Sequence, residues 1–317
     1  MSSPHHPLDL TGSVRLDSVA AVAGAVVDLL ARRFPADELN PSFLRRAFDD
    51  IEAAFWGEYP ACLPCDTPYH DLRHSLDTAL LVARMCDGYQ AVHGGVAARL
   101  HGREAELAVL LALFHDIGFL RRPAEKHLHG AQLTRQHENR SVLFVRAYLA
   151  SSPLADYAAS AELIHATNFA HAAADVLHGH VAQQQVIARM LGSADLISQL
   201  ADRYYLERCR DCLYAEFVLA GLDRSTDAAG PEVVVYRDGE DLLRQTPAFY
   251  EQVIRKRLEV DFGNIQQVLD THFGERNPYA ASMAGNLAYL RRLIAENRLR
   301  EGLRRRPRAL IPNGSGR

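Results

Sequence analysis

The spacing of the apolar residues constrains this chain most, because nearly every segment with a readable period shows the helical one. Val19, Val22 and Val26 recur at intervals of three and four, which places them on one face of an α-helix. The sequence therefore predicts an all-α fold. The further segments with this period are 42–56, 72–89, 138–150, 155–170, 181–219, 248–260 and 281–296.

One segment departs from the helical pattern. Residues 232–236 form a β-branched run between Gly230 and Gly239, which predicts a short hairpin or extended insertion near 230–240. None of the Pro- and Gly-rich breaks is long enough to be an obvious interdomain linker. We therefore expect a single domain made of N-terminal helices (1–60), a metal-binding core (61–220), C-terminal helices (221–302) and a flexible tail (303–317).

Composition narrows the classes of function. With 317 residues, 48% hydrophobic and 23% charged, the chain is typical of globular proteins. The net charge of -4 argues against a general nucleic-acid binder, which needs a basic surface. No apolar run reaches the roughly 20 residues that cross a bilayer, and the start lacks a secretory signal pattern. We expect a cytoplasmic protein without membrane contact.

Five cysteines do not suggest a disulfide framework at this length. Cys62/Cys65 and Cys209/Cys212 have the spacing of a zinc site. The first pair lies in a Pro-rich loop and the second in a predicted helix, so chance spacing is the favoured interpretation.

Histidine and aspartate carry the chemistry that the sequence suggests. His70 and His74 are four residues apart at the start of a helix, so both imidazoles point to one side. The doublet His115-Asp116 follows a strongly apolar helix, which Gly118 is predicted to close as a C-terminal cap. Asp195 interrupts the apolar face of another helix, where a buried carboxylate needs a cationic partner such as a metal ion.

The order His74, His115-Asp116, Asp195 resembles the signature of the HD superfamily of metal-dependent phosphohydrolases. The likeness is closest to the catalytic domain of class I cyclic-nucleotide phosphodiesterases and to related bacterial HD proteins. It covers about residues 69–200 and, more loosely, 246–258. The matching elements are Tyr69-His70-xxx-His74, Phe114-His115-Asp116, Glu138-Asn139, Ala166-Thr167 and Ala194-Asp195-Leu196.

The resemblance implies an HD-type helical bundle and a binuclear metal centre. His74, His115, Asp116 and Asp195 would bind divalent ions, two of them, with zinc, iron, manganese and magnesium as the candidates. Asp116 would bridge the ions. A metal-bridged hydroxide would attack phosphorus, with His70 as the general acid.

Other residues have more open roles. The resemblance gives Glu138 a hydrogen bond to metal-bound water, although Glu138 also suits the start of a helix. His137 and His171 are candidate second-metal ligands, and Thr167 would bind a metal water. His165 and His171, six residues apart on one predicted helix, should not face the same point.

Substrate contacts are expected near the C-terminus. In the phosphodiesterases a glutamine and a phenylalanine clamp the purine, and this chain offers Gln245 and Phe249. Their spacing is one residue longer than in the family, and Pro247 lies between them.

The leading hypothesis is hydrolysis of a nucleotide phosphoester, first of all a cyclic-nucleotide-type phosphodiester. The expected binding partner is then a small phosphorylated nucleotide, the substrate. The sequence does not decide whether the chain forms a homo-oligomer. Two alternatives share the fold: a mixed-valent di-iron oxygenase, which needs further histidines such as His137, His165 and His171, and a non-catalytic metal-bound ligand sensor.

Overall fold

A computed structural model describes residues 7–95, 99–225, 233–274, 276–305 and 309–312. It confirms the all-α class. The α-helices are α1 Val19–Ala31, α2 Pro41–Trp56, α3 Leu72–His93, α4 Gly102–Phe114, α5 His137–Ala150, α6 Ala173–Leu177, α7 Ala182–Ala201, α8 Tyr205–Arg208, α9 Tyr214–Ala220, α10 Gly239–Phe249, α11 Val268–Phe273, α12 Pro278–Ala295 and α13 Leu299–Gly302.

Tighter and wider turns connect these helices. The 3₁₀ segments are Ala36–Glu38, Ile117–Phe119, Pro123–Glu125, Gly130–Leu133, Ala155–Thr167 and Ile265–Gln267, and the π segments are Cys209–Leu213, Tyr250–Ile254 and Arg257–Asp261. The predicted extended insertion is a two-stranded antiparallel hairpin, in which β1 Arg224–Ser225 pairs with β2 Val233–Val234. The segment that joins the two strands lies outside the described residues.

Helix α3 forms the centre of the fold. It packs against α1, α4, α7 and α11, and α4 also packs against α7. Nearly every residue from Leu72 to Tyr89 is buried, and fully burying one leucine side chain contributes about 2 kcal/mol. The three helices that carry the predicted metal ligands are therefore packed directly against one another.

The start of α3 is fixed by its N-cap. Asp71 accepts the His74 backbone N–H at 3.1 Å, which satisfies one of the unpaired donors of the first turn. The same buried carboxylate accepts two hydrogen bonds from Arg208. This network holds the turn that carries His70 and His74.

Three predicted helices differ from the observed ones. The segment 181–219 is broken after α7, where Asp202 accepts the Tyr204 backbone N–H at 3.0 Å in a turn. The segment 155–170 is a 3₁₀ helix that ends at Thr167. The helix expected from residue 248 begins at Gly239, because Asp238 caps it, and runs past Pro247 into a π turn.

The described residues of the segment predicted as a flexible tail, 303–317, make contacts with the rest of the fold. Arg305 donates to the Arg203 carbonyl at 2.9 Å, and the Leu310 N–H donates to Asp71 at 2.7 Å. The tail segment 309–312 thus contacts the N-cap of α3. Residues 306–308 and 313–317 lie outside the described residues.

Candidate metal centre

Four donor atoms converge where α3, α4 and α7 meet. His74 lies in the first turn of α3, His115 and Asp116 follow the last turn of α4, and Asp195 lies in α7. His74 Nε2 is 3.2 Å from His115 Nε2, 3.4 Å from Asp116 Oδ2 and 3.1 Å from Asp195 Oδ1. His115 Nε2 is 3.3 Å from Asp116 Oδ2 and 3.5 Å from Asp195 Oδ1.

These separations fit the first coordination shell of a divalent ion. Ligand bonds of about 2.1 Å place neighbouring donors about 3.0 Å apart at right angles and about 3.4 Å apart in a tetrahedron. The distances that join the two histidines to each other and to the two carboxylates span 3.1 to 3.5 Å, and His74, His115 and Asp195 form the group whose donor atoms all lie within 4.8 Å of one another. Two imidazoles and two carboxylates suit zinc, iron or manganese better than a purely oxygen-binding ion. The residues present therefore fit a metal.

One oxygen of Asp116 accepts no hydrogen bond from a described residue, although two imidazole nitrogens lie within 3.4 Å of it. Its Oδ2 is buried and makes no hydrogen bond among the described residues, which is costly for a carboxylate unless a cation binds it. Its other oxygen, Oδ1, lies 3.6 Å from His137 Nε2. Oδ2 thus lies near His74 and His115, whereas Oδ1 lies near His137. A carboxylate that bridges two ions needs its two oxygens to face different ligands in this way.

Backbone carbonyls determine which ring nitrogen of His115 and of His137 is available to bind a metal. His115 Nδ1 lies 2.8 Å from the Ala112 carbonyl and His137 Nδ1 lies 2.6 Å from the Thr134 carbonyl. A carbonyl can only accept, so each Nδ1 carries a proton and each Nε2 is left to ligate. Gln199 donates to Asp195 Oδ1 at 2.7 Å and orients that carboxylate.

The histidine and the carboxylates of the centre shift one another's pKa values. Burial disfavours the charged imidazole of His115, but Asp116 and Asp195 outweigh it and hold its pKa well above the usual value. Burial would likewise raise the pKa of Asp116, yet the neighbouring His115 holds it well below the usual range. A metal ion that binds here would displace protons, which couples metal affinity to pH.

Glu138 and His137 border the centre on the α5 side. Burial raises the pKa of Glu138 to about 7, and the charges of Asp116 and Asp195 act in the same direction. Burial also lowers the pKa of His137 to about 4, against the pull of Asp116. A neutral His137 suits ligation, and Glu138 titrates near neutral pH.

His70 is held by a carboxylate that the sequence did not identify. Its Nδ1 lies 2.6 Å from Glu216 Oε2, and Glu216 Oε1 accepts the Tyr69 backbone N–H at 2.6 Å. Burial lowers the pKa of His70, but the ion pair with Glu216 outweighs this and raises it. The imidazole centroid is 6.4 Å from that of His74. An imidazole whose pKa is raised by a buried carboxylate therefore lies beside the candidate ligands.

Phe119 separates and orients two of the histidines. Its ring stacks on His70 at 4.3 Å and on His137 at 4.2 Å, measured between centroids. Such stacking fixes both imidazole planes, and a charged His70 gains a favourable contact with the face of the ring.

Gly118 acts through a close approach rather than as a helix cap. Helix α4 ends at Phe114, and Gly118 lies inside the following 3₁₀ turn with an ordinary backbone conformation. A Cβ at this position would lie 1.9 Å from the His137 carbonyl oxygen. Only glycine lets the turn after Asp116 approach the start of α5.

The other predicted residues make contacts elsewhere. The Thr167 hydroxyl donates to the Ile164 carbonyl at 2.9 Å. His165 and His171 lie side by side with ring centroids 4.8 Å apart. The expectation that they face apart was wrong, because the helix ends at Thr167 and the chain turns back. Among the described residues, the potential metal-binding group is His74, His115 and Asp195.

The proposed purine clamp lies on α10. Gln245 is exposed and donates to the Val235 carbonyl at 2.9 Å. Phe249 is 41% exposed and contacts Phe169 edge-on at 5.6 Å. The two side chains are thus on the surface with contacts of their own. The cysteines are all free thiols.

Sequence reasoning missed Glu216, Phe119 and Gln199. Gln199 is four residues after Asp195 on α7, a spacing that could have suggested the contact. Glu216 is 146 residues from His70, and only the course of the chain after the break at Asp202 brings it near.

A family model described as Npun_R2479-like matches residues 124–271, which is less than half of the chain. Its description names no activity. The matched range contains Glu138, Asp195 and Glu216 but not His74, His115 or Asp116. No curated protein matches the sequence. Within the described ranges, none of the helices combines the length and the hydropathy that a bilayer crossing needs.

Proposed function

We propose that this chain is an HD-type, metal-dependent phosphohydrolase that cleaves a nucleotide phosphoester, with cyclic-nucleotide-type phosphodiesters as the first substrates to test. The observation that carries the proposal is the His70–Glu216 pair beside the four donor atoms. A metal site alone could be structural. A protonated imidazole next to it supplies the acid that a leaving alkoxide needs.

The metal would be held by His74, His115, Asp116 and Asp195, and a second ion by Asp116 with His137. Bound there, divalent ions would lower the pKa of a water nucleophile and neutralise phosphoryl oxygens. Asp116 is suited to both ions because each of its oxygens faces one donor set.

The remaining steps fall to the side chains of the protein. Because Glu216 binds Nδ1 of His70, the proton for the leaving oxygen would come from Nε2. Phe119 keeps the imidazole plane fixed during the transfer. Glu138, with a pKa near neutral, can accept or return a proton at the rim of the centre.

His70 and His74, four residues apart, offer the sharpest test. We expect His74→Ala to lose the metal, because it removes a ligand. His70→Ala should keep a near-normal metal content and lose about a hundredfold to ten-thousandfold in turnover, the usual contribution of a general acid.

Both variants would be compared by elemental analysis per chain and by a screen of nucleotide phosphoesters. An ester with a very acidic leaving group should restore much of the rate of His70→Ala. Loss of metal in His70→Ala would make His70 a ligand and refute its role as acid. If the protein consumed oxygen with an organic substrate and cleaved no phosphoester, the proposal of a hydrolase would be wrong and the oxygenase would take its place.

A further inference from the structure

A narrow crevice opens beside the candidate metal centre, between the first turn of α3 and the C-terminal end of α7. Its walls include His74, a proposed ligand, and Gln199, which orients Asp195. Arg73, the residue before His74, lines the same crevice and is half-buried. The crevice therefore connects a guanidinium to the edge of the centre.

The two arginines of this crevice differ in their partners. Arg208 is committed to the protein: it donates to the Tyr69 carbonyl and pairs with Asp71 and Asp202. Arg73 makes no hydrogen bond and no ion pair within the ranges that the structure describes. With respect to the described residues, Arg73 is thus the cation of the crevice that remains available to a ligand.

The two carboxylates that line the crevice with Arg73 are Asp77 and Asp202, and each has other contacts. Asp77 lies one turn further along α3, and burial raises its pKa to about 6. The positive charge of Arg73 lowers this pKa, but by less than burial raises it. Asp77 Oδ1 accepts from the Tyr279 hydroxyl at 3.4 Å. Asp202 accepts the Tyr204 N–H and lies 3.7 Å from the Arg208 Nε. Neither carboxylate forms an ion pair with Arg73.

We propose that Arg73 binds a second phosphate of the substrate while the scissile phosphate lies at the His74 edge of the centre. The proposal rests on the proposed function and refines it, because it favours nucleotides with a further phosphate over a cyclic mononucleotide with one. The planar guanidinium matches two phosphate oxygens at once, which a lysine cannot do.

Anion binding tests the subsite without any turnover. Full-length, metal-loaded protein would be titrated calorimetrically with inorganic pyrophosphate and with inorganic phosphate, and its metal content measured afterwards. We expect Arg73→Ala to weaken pyrophosphate binding roughly tenfold or more, as for loss of a charge-assisted contact, and to leave phosphate binding unchanged. Arg73→Lys should lose less. Equal pyrophosphate affinity in wild type and Arg73→Ala would overturn the proposal.

Arg45→Ala provides a matched control, since it removes an exposed arginine of α2 that does not line the crevice. It should bind both anions like the wild type. In kinetics, Arg73→Ala should raise KM for a nucleotide with a second phosphate and not for a singly phosphorylated ester. If the wild type cleaves no phosphoester, the proposed function fails, while the pyrophosphate titration still decides the subsite.

Discussion

Replacement of Glu216 by glutamine tests the acid assignment most directly. The Glu216 side chain is 2% exposed and makes two contacts of 2.6 Å, to His70 Nδ1 and to the Tyr69 N–H. Glutamine has nearly the same shape and can still accept from Tyr69. Its amide then turns an N–H toward His70 Nδ1, which favours the neutral imidazole.

The magnitude follows from the contact that is lost. A hydrogen bond to a charged group contributes about 1.5 to 3 kcal/mol, and each 1.36 kcal/mol is a tenfold change in rate. We expect Glu216→Gln to lower turnover by about ten- to a hundredfold with normal metal content. The effect should be smaller than that of His70→Ala. In the His70→Ala background, Glu216→Gln should have almost no further effect, because the two residues act as one unit.

The pH profile gives an independent readout. Glu216 raises the pKa of His70, so the protonated acid persists to higher pH in the wild type. In Glu216→Gln the alkaline limb of kcat/KM should move to lower pH. Glu106→Gln is the matched control, since Glu106 is 1% exposed, accepts a backbone N–H from Asn40 and lies in the N-terminal half of α4, whereas His115 follows the C-terminal end of that helix. Unchanged turnover and an unchanged alkaline limb in Glu216→Gln would refute the reasoning.

Two further substitutions test the centre and its frame. Asp116→Ala should abolish metal loading and turnover together, because Asp116 is proposed to contact both ions; full metal content by elemental analysis would contradict this. Gly118→Ala should lower the melting temperature by several degrees and weaken metal loading, because its Cβ would lie 1.9 Å from the His137 carbonyl oxygen. Gly24→Ala, where no atom lies within 4 Å of the new Cβ, should be neutral or stabilising by up to about 1 kcal/mol; equal melting temperatures for both glycine variants would refute the steric argument.

The part of the site that the sequence predicted is the part with local signals. His74 stands out because it follows His70 by four residues at the start of a helix, and Asp195 because it interrupts an apolar helical face. The doublet His115-Asp116 stands out because it directly follows a strongly apolar helix. These residues lie on or directly after α3, α4 and α7, and the three helices pack against one another. The polar residues of their buried faces therefore come together where the helices meet. The all-α class followed from the same periodicity.

The sequence did not predict the position of Glu216, because that position depends on where a helix ends. The period of 181–219 continues through Asp202, so periodicity gave one straight helix and placed Glu216 far from His70. The turn at Asp202 instead depends on a side chain that accepts the Tyr204 N–H, a contact with no periodic signature. The error over His165 and His171 has the same origin, because a 3₁₀ helix ending at Thr167 was taken for a longer α-helix.

The break after α7 places the carboxylate that binds the proposed acid on a different helix from the proposed ligand Asp195. Asp195 lies in α7 and Glu216 in α9, and the turn at Asp202 disconnects the two helices. Arg208, between them, binds the N-cap Asp71 and so fixes the turn from which His70 and His74 both start. One buried arginine therefore holds the turn from which the proposed acid His70 and the proposed ligand His74 both start, while Glu216 contacts His70 itself through Oε2 and the same turn through Oε1. A change at Arg208 should disturb metal loading and acid catalysis together, whereas Glu216→Gln, which keeps the acceptor for the Tyr69 N–H, should disturb acid catalysis alone.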